Sequence, residues 1–152
     1  IFACNGILYS HESPLRSEKF VTQKIINSVV RIAQNKDNIL KLGNTDVVRD
    51  WGWAEEYVEG MWKLINHETP EDIIFATGVS QSLQVFIETA FDSAKLDWRN
   101  YIRKEKTFVR KSEIYFSVGN PEKAEKYLGW RASTKGKDIA RRMYLAATKK
   151  ID

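Results

Sequence analysis

Apolar and polar positions divide the chain into short blocks of differing period. Residues 1–9 form an apolar run of strand length, rich in strand-favouring types. The run gives way to Ser10-His11-Glu12-Ser13, and Pro14 ends any strand because proline has no N–H for a ladder bond. Residues 19–34 carry Phe20, Val21, Ile25, Val29 and Ile32, with Ile26, Val30 and Ala33 beside them. That spacing predicts a helix with a wide buried face. Residues 39–42 predict a short strand, followed by a tight turn at Gly43-Asn44-Thr45-Asp46. Residues 47–51 predict a strand that holds Arg49 and Asp50 between apolar neighbours. Residues 53–65 predict a helix whose apolar stripe, Tyr57, Val58, Met61, Trp62, Leu64 and Ile65, reads as core. Residues 73–76 predict a buried strand, ended by Thr77-Gly78. Ser80 or Ser82 then caps a helix with Leu83, Val85, Phe86, Ile87, Ala90 and Phe91 on its buried face. Pro121 opens a further helix, Gly129 closes it, and residues 135–149 predict the last one. Strands alternating with helices, with no repeat or long linker, predict a single compact α/β unit over residues 1–152.

Composition narrows the classes. Hydrophobic residues make up 43% of the 152, a globular proportion. The net charge of +4 suits an anionic partner without selecting one. One cysteine, Cys4, allows no internal disulfide and is compatible with a reducing compartment. No apolar run approaches the roughly 20 residues of a membrane span, so no membrane partner is expected. With two histidines, one cysteine and carboxylates at no ligand spacing, no metal site is expected. The chain opens without Met and directly into a strand, as the C-terminal part of a longer protein would.

Several side chains are candidates for chemistry, each with an ordinary alternative. A buried strand ending in His, Glu, Ser and Arg gathers donors at a sheet edge, where α/β folds place ligands; it is equally a polar loop. Lys24 near a helix start is a surface charge or a ligand. Arg49 is a solvent-facing strand residue, or a guanidinium held by Asp50 toward a phosphate. The aromatic and basic residues of 98–109 have the interleaving of a nucleic-acid groove, but no nucleic-acid-binding motif surrounds them and no such partner is expected. Arg110 and Glu113 are a surface ion pair worth ~0–1 kcal/mol, or a clamp with Arg on pyrophosphate and Glu on ribose hydroxyls.

The run N-G-I-L-Y-S-H-E-S-P-x-R at 5–16 and F-V-T-x-K-I at 20–25 resemble the segment after the Tyr-Lys pair of GDP-mannose 4,6-dehydratases, which are extended short-chain dehydrogenase/reductase enzymes. The similarity continues through L-G-N at 42–44, R-D-W-G at 49–52, Y-V-E-x-M-W at 57–62, E-D-x-x-x-A-T-G at 71–78 and A-E-K-Y-L-G-W at 124–130. It is weakest over 95–120.

The resemblance implies an α/β fold comprising the end of a Rossmann-type NAD(P)-binding sheet and the smaller mixed α/β substrate lobe. It implies NADP as cofactor, with His11 and Arg16 on its side of the site. It assigns Asn5, Lys24, Asn44, Arg49, Arg110 and Glu113 to GDP-mannose. It also implies a partner in the preceding NADP-binding half, a homo-oligomer (dimer or tetramer) in the complete enzyme, and a cytoplasmic location. Ser10, Leu15, Trp53 and Lys111 depart from the family's usual Asn, Arg, His and Pro. The family's Gly-rich phosphate loop and Tyr-x-x-x-Lys pair do not occur in the chain, so no catalytic residue is assigned here. A non-catalytic nucleotide-sugar-binding module is the alternative of a different class. A GDP-4-keto-6-deoxy-mannose reductase is the alternative within the class, disfavoured by His11-Glu12-Ser13-Pro14.

Overall fold

The computed structural model describes residues 2–105, 107 and 112–149. Strand β1 (Gly6–Leu8) is followed directly by β2 (Ser10–Glu12), then α1 (Val21–Ala33), β3 (Leu40–Leu42), β4 (Val48–Trp53) and α2 (Ala54–Ile65). The chain continues through β5 (Ile73–Phe75), β6 (Ser80–Ser82), α3 (Leu83–Ser93), a 3-10 turn (Trp98–Asn100), β7 (Ile102–Lys104), α4 (Glu122–Leu128) and α5 (Lys137–Thr148). β1 runs parallel to β5, with Ile7 opposite Ile74. β4 is the centre of a mixed sheet, parallel to β2 and antiparallel to β6, and β3 pairs in parallel with β7.

β4 separates two hydrophobic clusters because successive side chains of a strand point to opposite faces. Trp51 and Trp53 enter a cluster built by α1, β3, α3 and α5, with Ile25, Ile26, Phe86 and Ile139 fully buried. Each such side chain stabilises by about 1.5–3 kcal/mol on burial. Asp50 and Gly52 face the other way. There Tyr57 and Leu64 of α2 meet Ile73 and Phe75 of β5, with Trp130 edge-on to both Tyr57 and Phe75. The second cluster belongs to the parallel β1–β5 pair, the first to the helical lobe.

Local signals placed the helix ends well. Ser82 Oγ accepts from Val85 N at 3.2 Å and starts α3. Gly129 closes α4 in the left-handed region at φ 58°. Two expectations need correction. The first strand is Gly6–Leu8, shorter than the apolar run, and strand structure resumes through the polar Ser10–Glu12, because β4 offers those residues a second ladder. The apolar stripe of α2 is not all core: Val58, Trp62 and Ile65 are 59%, 64% and 59% exposed, on the side away from the β1–β5 pair. In the aromatic and basic run after α3, Trp98, Tyr101 and Ile102 pack against the first cluster, and Tyr101 stacks on Phe91 at 5.8 Å.

Gly52 is where α2 comes closest to β4, and a Cβ there would fall within the Tyr57 ring. Gly52→Ala is therefore expected to lower the unfolding free energy by roughly 1–3 kcal/mol, read as a lower urea midpoint. Gly6→Ala, whose Cβ would lie 3.3 Å from the Phe75 ring, is expected to cost less.

Candidate functional site

The site is built on β4 and the segments pinned to it. Asp50 is 1% exposed, and its carboxylate accepts from Thr77 Oγ1 (2.6 Å), Thr77 N (3.0 Å), Gly78 N (3.0 Å) and Gly119 N (3.2 Å). A buried charge is tolerable only when so satisfied. These bonds draw the β5–β6 turn and the 117–119 segment onto β4, where Val48 N donates to Tyr115 O and Ser117 N to Val48 O. The same pinning places Glu113 beside Arg49. Arg49 Nη2 donates to Glu113 Oε1 at 3.1 Å and Nη1 to the Val48 carbonyl at 2.9 Å, with both charged side chains less than a quarter exposed. Arg49 is thus held by Glu113, and not by its neighbour Asp50.

Lys24 and Asn44 lie along the chain that leads into β4. Lys24 Nζ donates to the Lys41 carbonyl at 2.8 Å, tying α1 to β3. Asn44 Oδ1 accepts from Asp46 N at 2.9 Å and closes the turn after β3. Lys24, Asn44, Arg49 and Glu113 therefore all border the segment 41–49.

His11 and Arg16 occupy the other end of the same sheet. His11 sits opposite Gly52, three residues or ~10 Å along β4 from Arg49. Its Nδ1 is 2.8 Å from the Tyr9 carbonyl, and its ring packs on Tyr57 at 5.0 Å. Arg16 lies with Cζ 3.6 Å above the Phe20 ring and Nε 3.5 Å from Glu12 Oε2. Glu12 is 1% exposed and accepts from Thr22 Oγ1 at 2.9 Å. Burial raises its carboxyl pKa above the usual 4.5, outweighing the opposing pull of Arg16 and the Thr22 hydroxyl.

Asn5 is not brought to these residues. It precedes β1, and both its backbone N and Nδ2 donate to Asp72 Oδ1, at 2.8 and 2.9 Å. Six extended residues, roughly 20 Å, separate it from His11. Arg110 lies outside the described residues. Trp53 is buried under the Arg142 guanidinium at 4.2 Å, and Leu15 is 87% exposed, so the two departures fall on a packed and a solvent position respectively. Sequence reasoning named Glu12 at the polar end of the first strand and Asp50 beside Arg49, but gave neither its buried, hydrogen-bonded role. A charged residue flanked by strand-forming neighbours was the signal in both cases.

A parallel β1–β5 unit joined to a lobe built around a mixed sheet is an α/β arrangement found in extended short-chain dehydrogenase/reductases. A solved structure of RMD from Pseudomonas aeruginosa complexed with NADPH superposes with TM-score 0.86 at 19% identity, over 97% of this chain and 48% of that one. DesIV, a dTDP-glucose 4,6-dehydratase from Streptomyces venezuelae, gives 0.82 at 17% identity over 98% and 44%. The sequence model of the GDP-mannose 4,6 dehydratase family matches residues 1–143, and the chain belongs to that family. A GDP-mannose 4,6 dehydratase of Dictyostelium discoideum is 38% identical over 160 residues, covering 94% of this chain and 45% of the relative. The chain thus spans less than half the length of the curated relative it matches.

Glu12 supplies a test by titration. A carboxyl with a raised folded-state pKa costs stability once ionised, so stability falls as pH rises from about 4.5 through the folded-state value, and the cost is complete above it. Glu12→Gln should flatten the stability profile over that window, measured by urea unfolding at a series of pH values. An unchanged slope would assign the pH dependence to other groups.

Proposed function

We propose that the chain is the nucleotide-sugar-binding part of a GDP-mannose 4,6-dehydratase, converting GDP-mannose to GDP-4-keto-6-deoxy-mannose and water. The observation that carries this reading is the ion pair between Arg49 of β4 and Glu113. A guanidinium suits a diphosphate, and a carboxylate at its side suits the ribose diol. Arg110 joins Arg49 on the diphosphate in this reading. Asn5, assigned to GDP-mannose in the same reading, donates to Asp72 Oδ1 from its backbone N and its Nδ2.

The cofactor in this reading is NADP, which takes a hydride from C4 and returns it at C6 after water leaves across C5–C6. His11 and Arg16 fit its side of the site, since His11 lies next to the last residue of β2 and Arg16 past its end, where α/β sheets bind dinucleotides. The residues of this chain bind and orient; the proton transfers belong to a Tyr-x-x-x-Lys half that precedes it. Support for that partner comes from β1, which pairs only with β5 among the described strands and leaves Ile7 and Leu8 51% and 40% exposed. An open apolar edge of this kind pairs with a further strand or associates. The complete enzyme is a cytoplasmic homo-oligomer, dimer or tetramer, in the same reading. No helix among the described residues is long and apolar enough to cross a membrane.

Purified chain with NADP⁺ and GDP-mannose is expected to yield no 4-keto-6-deoxy sugar, and turnover above background would overturn the assignment of the proton transfers to a preceding half. In the enzyme completed with that half, Arg49→Ala should weaken GDP and GDP-mannose alike by roughly 10- to 150-fold, the loss of one charge-assisted bond, while NADP⁺ affinity stays nearly unchanged. Arg16→Ala should do the reverse. Calorimetry with the three ligands decides it: equal losses for all would signal misfolding, and undiminished GDP binding in Arg49→Ala would return the pair to a structural role.

A further inference from the structure

The Tyr57 ring fills the space that a Cβ on Gly52 would take, and so lies directly on the β4 backbone. Trp130 braces it. The two rings meet edge-on at 5.6 Å, and the Trp130 indole N–H is itself anchored on the Glu56 carbonyl at 2.7 Å. Tyr57 is fully buried, and its hydroxyl has no hydrogen-bond partner among the described residues. What Tyr57 offers is therefore its ring and not its O–H. His11 is the cross-strand partner of Gly52, so it stands on the same face of the sheet and meets that ring, centroid to centroid at 5.0 Å with the planes 30° apart. His11 Nδ1 is 2.8 Å from the Tyr9 carbonyl. A carbonyl oxygen only accepts, so Nδ1 carries a proton, and in the neutral ring the free lone pair is on Nε2. Nε2 has no partner among the described residues and, unlike the Tyr57 hydroxyl, is not sealed from solvent.

We propose that Tyr57 is a positioning residue for His11. Seated on Gly52 and braced by Trp130, its ring holds the imidazole with Nδ1 on Tyr9 and Nε2 outward, to accept a hydrogen bond from an uncharged donor of the ligand, a hydroxyl or an amide N–H. A side chain locked by packing in this way presents its acceptor in one direction. The neutral ring does not suit a phosphate there, because Nε2 and an ionised phosphate oxygen both only accept. The charged part of the same ligand falls to Arg16, whose guanidinium only donates. The inference deepens the placing of His11 on the cofactor side of the site, and rests on it.

Two measurements test this. Nitrogen-15 spectra of the 152-residue chain read the His11 tautomer. The unsubstituted chain and Tyr57→Phe should both carry the neutral ring's proton on Nδ1, since the tyrosine hydroxyl is not used. Tyr57→Leu, with the amide spectrum of the fold retained, should show a mixture of tautomers. Gly52→Ala displaces the same ring without deleting it and should show that mixture too. Calorimetry on the enzyme completed with its preceding half then reads NADP⁺ binding. His11→Ala should weaken it roughly 2- to 12-fold, the loss of one neutral hydrogen bond. Tyr57→Leu should weaken it within the same range and Tyr57→Phe should retain it, with GDP binding unmoved in all three. An Nε2–H tautomer in the unsubstituted chain, a tautomer unchanged in Tyr57→Leu and Gly52→Ala, or NADP⁺ affinity lost in His11→Ala but kept in Tyr57→Leu would each overturn the positioning role alone. NADP⁺ binding undiminished in His11→Ala would overturn it together with the cofactor placing of His11.

Discussion

The structure depends on one buried carboxylate. Asp50 sits in the middle of β4, forms no ion pair among the described residues, and is satisfied by four donors from two distant segments. Hydrogen bonds to a charged acceptor contribute about 1.5–3 kcal/mol each before non-additivity, so this cluster fixes geometry as well as stability. It joins β5 to β4 through Thr77 and Gly78, and it joins the 117–119 segment to β4 through Gly119. The second contact needs glycine, because a Cβ at 119 would overlap Ala76. The His11–Tyr57 ring contact and the ion pairs of Arg142 with Glu55 and Glu56 join α2 to the helical lobe as well.

From that constraint follows the division of labour along β4. Odd positions, Trp51 and Trp53, anchor the strand in the lobe's core; even positions, Asp50 and Gly52, accept the β5 turn and α2. Arg49 lies at the start of the strand and His11 opposite its far end, so one rigid element sets the spacing between the two candidate ligand sides. Sites carried on a packed strand hold their side chains more tightly than sites carried on loops. Here each candidate is also held by a second group: Arg49 by Glu113, Arg16 by Glu12 and Phe20, His11 by the Tyr9 carbonyl.

The helices were legible because their signals are local. The period of α1, the Ser82 cap and the Gly129 stop all lie within a few residues of what they determine. Strands of three residues carry almost no period, so β2 and β6, with polar sequences S-H-E and S-Q-S, could not be read without knowing that β4 runs between them. Asp50 was visible as a polar residue in a strand, but its donors are 27 to 69 residues away, and no spacing rule reaches that far. The outward stripe of α2 failed for another reason. Periodicity identifies an apolar face without saying whether this chain or another covers it, and Val58, Trp62 and Ile65 are uncovered here. Most candidate residues came from motif resemblance. Resemblance gives a position but not the partners within the chain: Asn5 donates to Asp72, 67 residues on, a contact no motif announces.

The Arg49–Glu113 pair has a consequence for any phosphate that approaches it. A guanidinium has five N–H donors in a fixed plane. Two of Arg49's are committed, one to Glu113 and one to its own neighbour's carbonyl. Both bonds constrain the plane, so the remaining donors are presented in a set direction and little rotamer entropy is left to lose on binding. Glu113 also lowers the local positive potential, so Arg49 alone attracts a dianionic diphosphate less than a bare arginine would. The site gains orientation at the expense of attraction, and the deficit must come from further cations. Lys24 stands on the same 41–49 border, with its Nζ on the Lys41 carbonyl. A diphosphate site assembled this way discriminates by the direction of its donors, and its affinity depends on how many cations the rest of the enzyme adds.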